Sequence, residues 1–524
     1  LHISIASGVV MRDLGSQHKD YAVFLPAISG FFTELLGRCN SVEGYIPEVD
    51  GRNRVPKGFE TGFEGLNFLD KEKGYYTYDN ALYSAGHAYL DLDRSAIMEY
   101  IIQERGPHTT IVGDSGGFQI GKGVIKFDWE NFFETPAQGN YKGDADRTRA
   151  KILAWLEQTA DWSMTLDVPS WAAKPGFREK TGLQNFDECL KCTKFNNQWF
   201  ADNRLGKTKF LNVLQGTYWE DAEEWYQAVK DYPFEGWGMG GNNIRDIHMA
   251  LKRIITLRDD ELLQDRDWIH FLGTSKLEWA VMLTSIQRQI RKHINPNITV
   301  SFDCASPYIS SANGLVYTRN KITSEQMSYI MEKCFDNKAF SHFSPGDLST
   351  TPFPWESEVG RRVTAGDCNW YAPGMLNKIG KEGKTSWDSF TYGILMAHNV
   401  YMHIRAVQEA NSLATMEFEN YKLDWRHWEK RGKKLNQESL WTPRNLLMFN
   451  TFVEELFVSD NPHHLLDKAK PFLDDLSNNK HKDHDSAFKN SAASMFFDEE
   501  VEQQVEGEFD AIQEQALESL VEEL

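Results

Sequence analysis

The chain has 524 residues, 41% of them hydrophobic and 13% aromatic, enough for one large domain with an extension or for two to three smaller ones. A formal net charge of −20 excludes a surface coated in basic residues, although a local basic groove for a nucleic acid stays compatible with it. No run reaches the roughly 20 apolar residues that span a bilayer, and six irregularly spaced cysteines exclude a disulfide scaffold, so a reducing cytoplasm is the expected setting.

The chain opens at Leu1 with no charged-then-apolar leader; the absent Met leaves missing residues and an unusual start codon both open. Short apolar runs then recur. Residues 21–26 are the first expected strand, 74–78 with the following Asp79 and Asn80 a weaker second, and 110–113 the third. Residues 162–166, 210–214, 236–239, 268–272 and 298–302 read as the remaining five. Helical spacing fills several of the gaps: 146–160, with Ile152, Leu153, Leu156 and Ala160 on one side, and likewise 220–230 and 276–293. Strand and helix alternating about eight times predict an α/β fold, a (β/α)8 TIM barrel. In such a barrel the carboxyl ends of the strands converge on one face and carry the site. Here those ends hold Asp114, Asp167, Gln215, Gly240, Gly241, Gly273 and Asp303.

Residues 334–373 are irregular and rich in Pro, Gly and Ser, and a helix is expected again over 390–411. The expected organisation is a barrel over 1–333, an inserted subdomain with a closing helix over 334–411, and a polar, helical C-terminal extension over 412–524. In the extension, Arg426, Lys430, Arg431, Lys433 and Lys434 cluster near Trp425, Trp428 and Trp441, a pattern that fits a phosphate backbone and a solvated helix face equally well. Residues 476–485 read as a linker. No basic residue follows Lys489, while Asp498, Glu499, Glu500, Glu502, Glu506, Glu508 and Asp510 crowd together ahead of helical spacing over 511–524. A solvated tail ending in an amphipathic helix is expected, with a partner-binding role as the alternative.

The stretch Gly113-Asp114-Ser115-Gly116-Gly117-Phe118-Gln119 follows the third strand. One reading is an ordinary glycine-rich turn with Asp114 capping the next helix. The other is a backbone that lets a planar molecule come close, with Phe118 covering one face of it. Two acids converging on one pocket suit the exchange of a glycosidic bond: one attacks the anomeric carbon, the other moves protons to and from the base. A planar base also needs hydrogen bonds along its edge and an aromatic cover, and Asp167, Gln215, Gly240, Gly241 and Phe118 are the residue types for that.

Asp114-Ser115-Gly116-Gly117-Phe118-Gln119 resembles the signature of the tRNA-guanine transglycosylases. The resemblance continues through Ser163-Met164-Thr165-Leu166-Asp167, Val213-Leu214-Gln215-Gly216, Met239-Gly240-Gly241, Phe302-Asp303-Cys304 and Ala397-His398-Asn399, in the family's order, over about residues 21–403. It implies a base-exchange enzyme on a (β/α)8 barrel that needs no cofactor for the exchange. By position Asp303 matches the nucleophile and Asp114 the general acid/base. Asp167, Gln215 and Gly240 match the readers of the purine edge, Phe118 the stacking aromatic, and Leu272-Gly273 a further wall; Ser115, Gly216 and Gly241 belong to the same substrate-binding set.

Two departures shape the expectation. The tRNA enzymes hold a structural zinc on Cys-x-Cys-x-x-Cys and a later His, whereas only Cys368 and His398 match here. One thiolate and one imidazole do not close a tetrahedral site unless Cys334, His342 or an acid joins them, so loss of the zinc is expected. Cys189-Leu190-Lys191-Cys192 reads as packing within a helix. After the nucleophile, the family's run with two arginines is replaced by Pro307-Tyr308-Ile309-Ser310-Ser311-Ala312-Asn313-Gly314. These departures, with the long extension, resemble the DpdA branch of phages and bacterial genomic islands, which inserts 7-deazaguanines into DNA. That implies a DNA-modifying transferase using a 7-deazaguanine such as preQ0 in the (host) cytoplasm, with helper proteins or a homodimer as expected partners and no membrane. The alternatives are a divergent enzyme acting on tRNA and a catalytically inactive partner subunit; retention of both Asp114 and Asp303 argues against the last.

Overall fold

A computed structural model describes residues 12–15, 20–38, 59, 62–88, 90–123, 125–138, 141–334, 351–369, 389–429 and 440–477. The acidic tail, the linker beyond 477, His342, and the cluster members Lys430, Arg431, Lys433 and Lys434 lie outside them.

Eight parallel strands form the barrel: β1 Val23–Pro26, β2 Asn80–Ser84, β3 Thr110–Asp114, β4 Trp162–Met164, β5 Lys209–Leu214, β6 Gly236–Met239, β7 Trp268–Phe271 and β8 Thr299–Cys304. Pairing runs in sequence from β2 to β8, and β1 pairs with β8. A parallel bridge between Ala27 and Leu82, with the Ile28 N–H donating to the Leu82 carbonyl at 2.9 Å, brings β1 against β2 and nearly closes the ring. Helices Ala145–Thr159, Trp219–Val229 and Leu277–His293 fall within a residue or two of the expected ranges.

The second strand departs from expectation. Residues 74–78 are not a strand; they approach β2 as irregular backbone, held by one bridge between Thr77 and Asp13. Their buried Tyr76 and Tyr78 pack in the core, which produces the apolar alternation of a strand without its ladder. The true strand has polar ends, Asn80 and Ser84, and so reads weakly.

Side chains alternate in and out along each strand. Leu25, Leu82, Val112, Trp162, Met164, Leu211, Val213 and Trp268 form one compact inner cluster. Strand β6 reads Gly-Trp-Gly-Met: a side chain at Gly236 would meet Leu211 and the Trp268 carbonyl. Its small residues leave room for Trp162 and Trp268, whose ring centroids lie 5.2 Å apart. The opposite set, including Ile269, Phe271, Val300 and Phe302, belongs to the larger core.

After β8, the short helix Ser306–Ala312 leads into an antiparallel hairpin, β9 Leu315–Ile322 and β10 Met327–Lys333. The excursion from the barrel therefore starts before residue 334. The helix expected over 390–411 runs from Ser389 to Asn420. The extension is less polar than expected from composition: helix Arg444–Val458 packs on Leu277–His293, and helix Pro462–Ser477 packs on Ile247–Asp259. Ser285 Oγ donates to Asn450 Oδ1 at 3.0 Å, and Ile247 N–H to Ser477 Oγ at 2.9 Å, tying both helices to the barrel. Arg426 is engaged by Asp424 and Glu455, and Lys422 by Glu454, so the described part of the basic region is neutralised by neighbouring acids.

Phe452 is fully buried between Trp425 and Phe472. Phe452→Ala is expected to cost about 3–5 kcal/mol. Because the extension caps barrel helices, the whole chain should lose that stability in one denaturant transition; a separate early transition with an unchanged main one would show an independent extension.

Candidate active site

The sequence-singled stretch sits where β3 ends. Asp114 follows Val112 on the inner face, and the chain then turns through Gly116, whose φ of +80° favours glycine. Helix Gly117–Lys122 begins at once. A Cβ on Gly117 would lie 2.5 Å from the Asp167 carbonyl oxygen, so this turn is clamped against the loop after β4. The glycine pair thus answers the protein's own packing at this turn. Ser115 is fully buried and its hydroxyl donates to the Thr165 carbonyl at 3.0 Å, which commits its side chain to the same seam. Phe118 is half-buried, edge-on to Trp171 at 5.3 Å between centroids, with Lys122 Nζ 4.1 Å from its ring centre.

Asp114 Oδ2 accepts from Ser84 Oγ at 2.7 Å, and Oδ1 accepts a longer bond from Gly116 N–H at 3.3 Å. Ser84 ends β2 and escaped the sequence reading because that strand was misplaced. Burial raises the proton affinity of Asp114, and the Asp303 charge raises it further; the bonds from Ser84 and Gly116 and the nearby His87 oppose the rise. Asp114 and the sequence-distant Asp303 stand at the carboxyl ends of β3 and β8, on the same end of the barrel.

Asp303 is buried at the end of β8. Its Oδ1 accepts from Gly273 N–H at 2.7 Å and lies 3.2 Å from His270 Nε2. Gly273 holds φ +67°, which aims that N–H at the carboxylate. His270, fully buried on the inner face of β7, was missed from sequence: one polar residue inside an apolar strand carries no motif. Its Nδ1 lies 2.8 Å from Ser301 Oγ, which accepts from Trp268 Nε1 at 2.7 Å. A second set of contacts steadies the loop above. Tyr329 Oη donates to the Ser275 carbonyl at 3.0 Å and lies 2.8 Å from His403 Nε2, linking hairpin and long helix to the segment that carries Gly273. His403 is itself enclosed, stacked on Phe24 at 4.3 Å, and burial lowers its pKa to about 3.

Asp167 and Gln215 form the third part. Gln215 Nε2 donates to Asp167 Oδ2 at 2.8 Å. Burial pushes the Asp167 carboxyl up to about 7, against the Gln215 bond and with help from the Asp114 charge. Gly240 lies against the Gln215 amide, and Gly241 against the Gly216 backbone, so these glycines let the β5 and β6 loops touch. Leu272 is half-buried beside the inner cluster, while Gly273 is exposed at the mouth.

The structure thus brings Asp114, Asp167, Gln215 and Asp303 to one end of the barrel, where Ser84, His270 and Gly273 hold them. It takes Cys368 and His398 elsewhere. His398 is fully buried, with Nδ1 2.8 Å from Ser357 Oγ and Nε2 2.9 Å from the Tyr317 carbonyl. The carbonyl accepts, so Nε2 carries the hydrogen and Nδ1 accepts from the serine. Burial lowers the His398 pKa to about 4, the Tyr317 contact opposing. With both nitrogens engaged, and no group of three His, Cys, Asp or Glu placed to hold a metal among the described residues, the residues present do not fit a zinc site. Asn399 Nδ2 bonds the Pro307 and Leu315 carbonyls and Ser311 Oγ, while its Oδ1 accepts from Tyr317 N–H. The stretch Pro307 to Ser311 is consequently buried. Cys189 and Cys192 are buried in the core, their thiols pushed up to about 12 by that burial. No family model matches the chain, and no curated protein matches it.

Asp167 binds its proton more tightly when folded than at its ordinary value of 3.8. It therefore contributes stability that is full below that value and is lost as pH rises to about 7. Melting curves of wild type and Asp167→Asn should diverge over this window, the wild type losing ground as pH rises; parallel curves would contradict a raised carboxyl. His398→Ala leaves the Tyr317 carbonyl and Ser357 hydroxyl without their bonds and should cost about 2–3 kcal/mol. A chelator should leave the melting temperature of the wild type unchanged; a chelator-induced fall would restore the zinc reading.

Proposed function

We propose that this chain exchanges a guanine in DNA for a 7-deazaguanine through a glycosyl ester on Asp303, as its resemblance to the tRNA-guanine transglycosylases and their DpdA branch implies. The observation that carries this reading is the placement of Asp114 and Asp303 at the carboxyl ends of β3 and β8, on the same barrel mouth as the Asp167–Gln215 pair. The two acids take different parts: Asp114, whose proton affinity burial raises, serves as the acid and base, and Asp303 as the nucleophile. Ser84 orients Asp114, and Gly273 and His270 orient Asp303.

In the first step an Asp303 oxygen bonds to C1′ of the deoxyribose as the bond from C1′ to guanine breaks. The bond's electron pair leaves with the base, which takes the Asp114 proton. Guanine departs and the 7-deazaguanine enters. Asp114 removes the proton from its ring nitrogen, that nitrogen bonds to C1′, and the C1′–O bond breaks to return the Asp303 carboxylate. Asp167 and Gln215 would read the base edge, one as a carboxyl near its titration point and the other as an amide. A base in a duplex must be flipped or unpaired to enter.

The choice of DNA over tRNA rests on the missing arginines, whose replacement segment is buried and has no cation to offer a tRNA phosphate. Purified protein incubated with labelled preQ0 and either DNA or tRNA should label DNA; label in tRNA alone would reject the DNA assignment. Asp303→Asn should abolish the covalent adduct with nucleic acid, seen as a denaturation-resistant shift in electrophoresis. An unchanged adduct in that variant would place the nucleophile elsewhere.

A further inference from the structure

We infer that His270 is a positioning residue for Asp303: together with Gly273 it occupies Oδ1, so that Oδ2 is the oxygen that bonds to the sugar. This rests on the base-exchange reading above and deepens it.

The inner faces of two neighbouring strands carry the argument. His270 pairs with Ser301 in the β7–β8 register, and Trp268 and Asp303 lie two residues to either side on the same inward face. The four side chains form one buried line. An indole N–H can only donate, so Ser301 Oγ must accept from Trp268. Among the described residues the serine hydrogen then has His270 Nδ1 as its acceptor at 2.8 Å. That makes Nδ1 the unprotonated nitrogen and puts the hydrogen on Nε2, aimed at Asp303 Oδ1. A bare Nε2 lone pair facing a carboxylate would be repelled, so the electrostatics agree. Gly273 N–H supplies the second donor to the same oxygen. No described residue donates to Oδ2, and Asp303 keeps part of its side chain open at the mouth.

The asymmetry has a chemical consequence. Oδ2, free of donors, is the better nucleophile. Once it bonds to C1′, Oδ1 becomes the ester carbonyl oxygen, still held by two N–H groups. When the incoming base attacks C1′ and the C1′–Oδ2 bond breaks, its electron pair returns to the carboxylate. Negative charge then grows on Oδ1 in front of donors already in place, the arrangement that stabilises a developing oxyanion. His270 should matter most in this second step, and it should act on rate rather than on binding of the entering base.

The test is a single-turnover measurement on the full chain. The adduct is formed on a guanine-containing DNA strand and chased with preQ0. His270→Phe, which keeps the ring volume and removes the donor, should resolve the adduct about 10- to 100-fold more slowly, the factor expected for one hydrogen bond to a charged group. The half-saturating preQ0 concentration should not change. His270→Gln, whose amide can donate from a similar position, should recover most of the rate. A structure of the trapped adduct should show the sugar on Oδ2. Wild-type protein that forms no adduct would sink the base-exchange reading itself. Wild type that forms one, with His270→Phe resolving it at the same rate or the sugar found on Oδ1, would overturn the role of His270 alone. Should His270→Phe fail to fold, Ser301→Ala keeps the imidazole and frees its tautomer; it should still slow resolution, and an unchanged rate there would count against the proposal.

Discussion

Everything at the barrel mouth depends on the register of parallel strands around a nearly closed ring. His270 is paired with Ser301 and Leu25 with Asp303, so the inward residues of β7 and β8 rise together and deliver Asp303 to the level of the Gly273 loop. A slip of one residue would turn Trp268, His270, Ser301 and Asp303 outward into the helix layer. The register is secured from below by the Trp162–Trp268 pair, which fits because β6 presents glycines on its inner face. The apolar floor and the polar mouth are thus successive layers of the same alternation.

The acids of this mouth are held by neutral donors. Ser84 and Gly116 serve Asp114, Gln215 serves Asp167, and Gly273 and His270 serve Asp303. Among the described residues no Lys or Arg forms an ion pair with any of them. A guanidinium beside Asp114 or Asp167 would favour the carboxylate and cancel the effect of burial. With hydroxyl and amide donors, geometry is imposed while Asp114 and Asp167 keep raised proton affinities.

Several residues singled out in the primary structure also make architectural contacts. Ser115 and Gly117 close the seam between the β3 turn and the β4 loop, and Asn399 knots the helix after β8 to the hairpin. His398 does the same work beside Ser357 with two hydrogen bonds. The long helix Ser389–Asn420 joins this region to the barrel, and through His403 and Tyr329 it reaches the loop that donates to Asp303. The C-terminal helices in turn cover the barrel helices after β6 and β7, so the extension is part of the core that keeps the mouth in shape.

The primary structure by itself determined the (β/α)8 class, seven of the eight strands, and Asp114, Asp167, Gln215 and Asp303 as strand-end residues. Hydrophobic periodicity is a local property, and a barrel repeats it often enough to be read without partners. Only the tertiary structure decided the rest. The second strand was misread because buried Tyr76 and Tyr78 imitate a strand's alternation, and Ser84 was lost with it. His270 and Ser301 stayed invisible because their meaning lies in which neighbour each one faces. The reasons for Gly116, Gly117, Gly240 and Gly241, and the engagement of both His398 nitrogens, likewise depend on backbone and side chains that are remote in sequence and meet only when the ring closes.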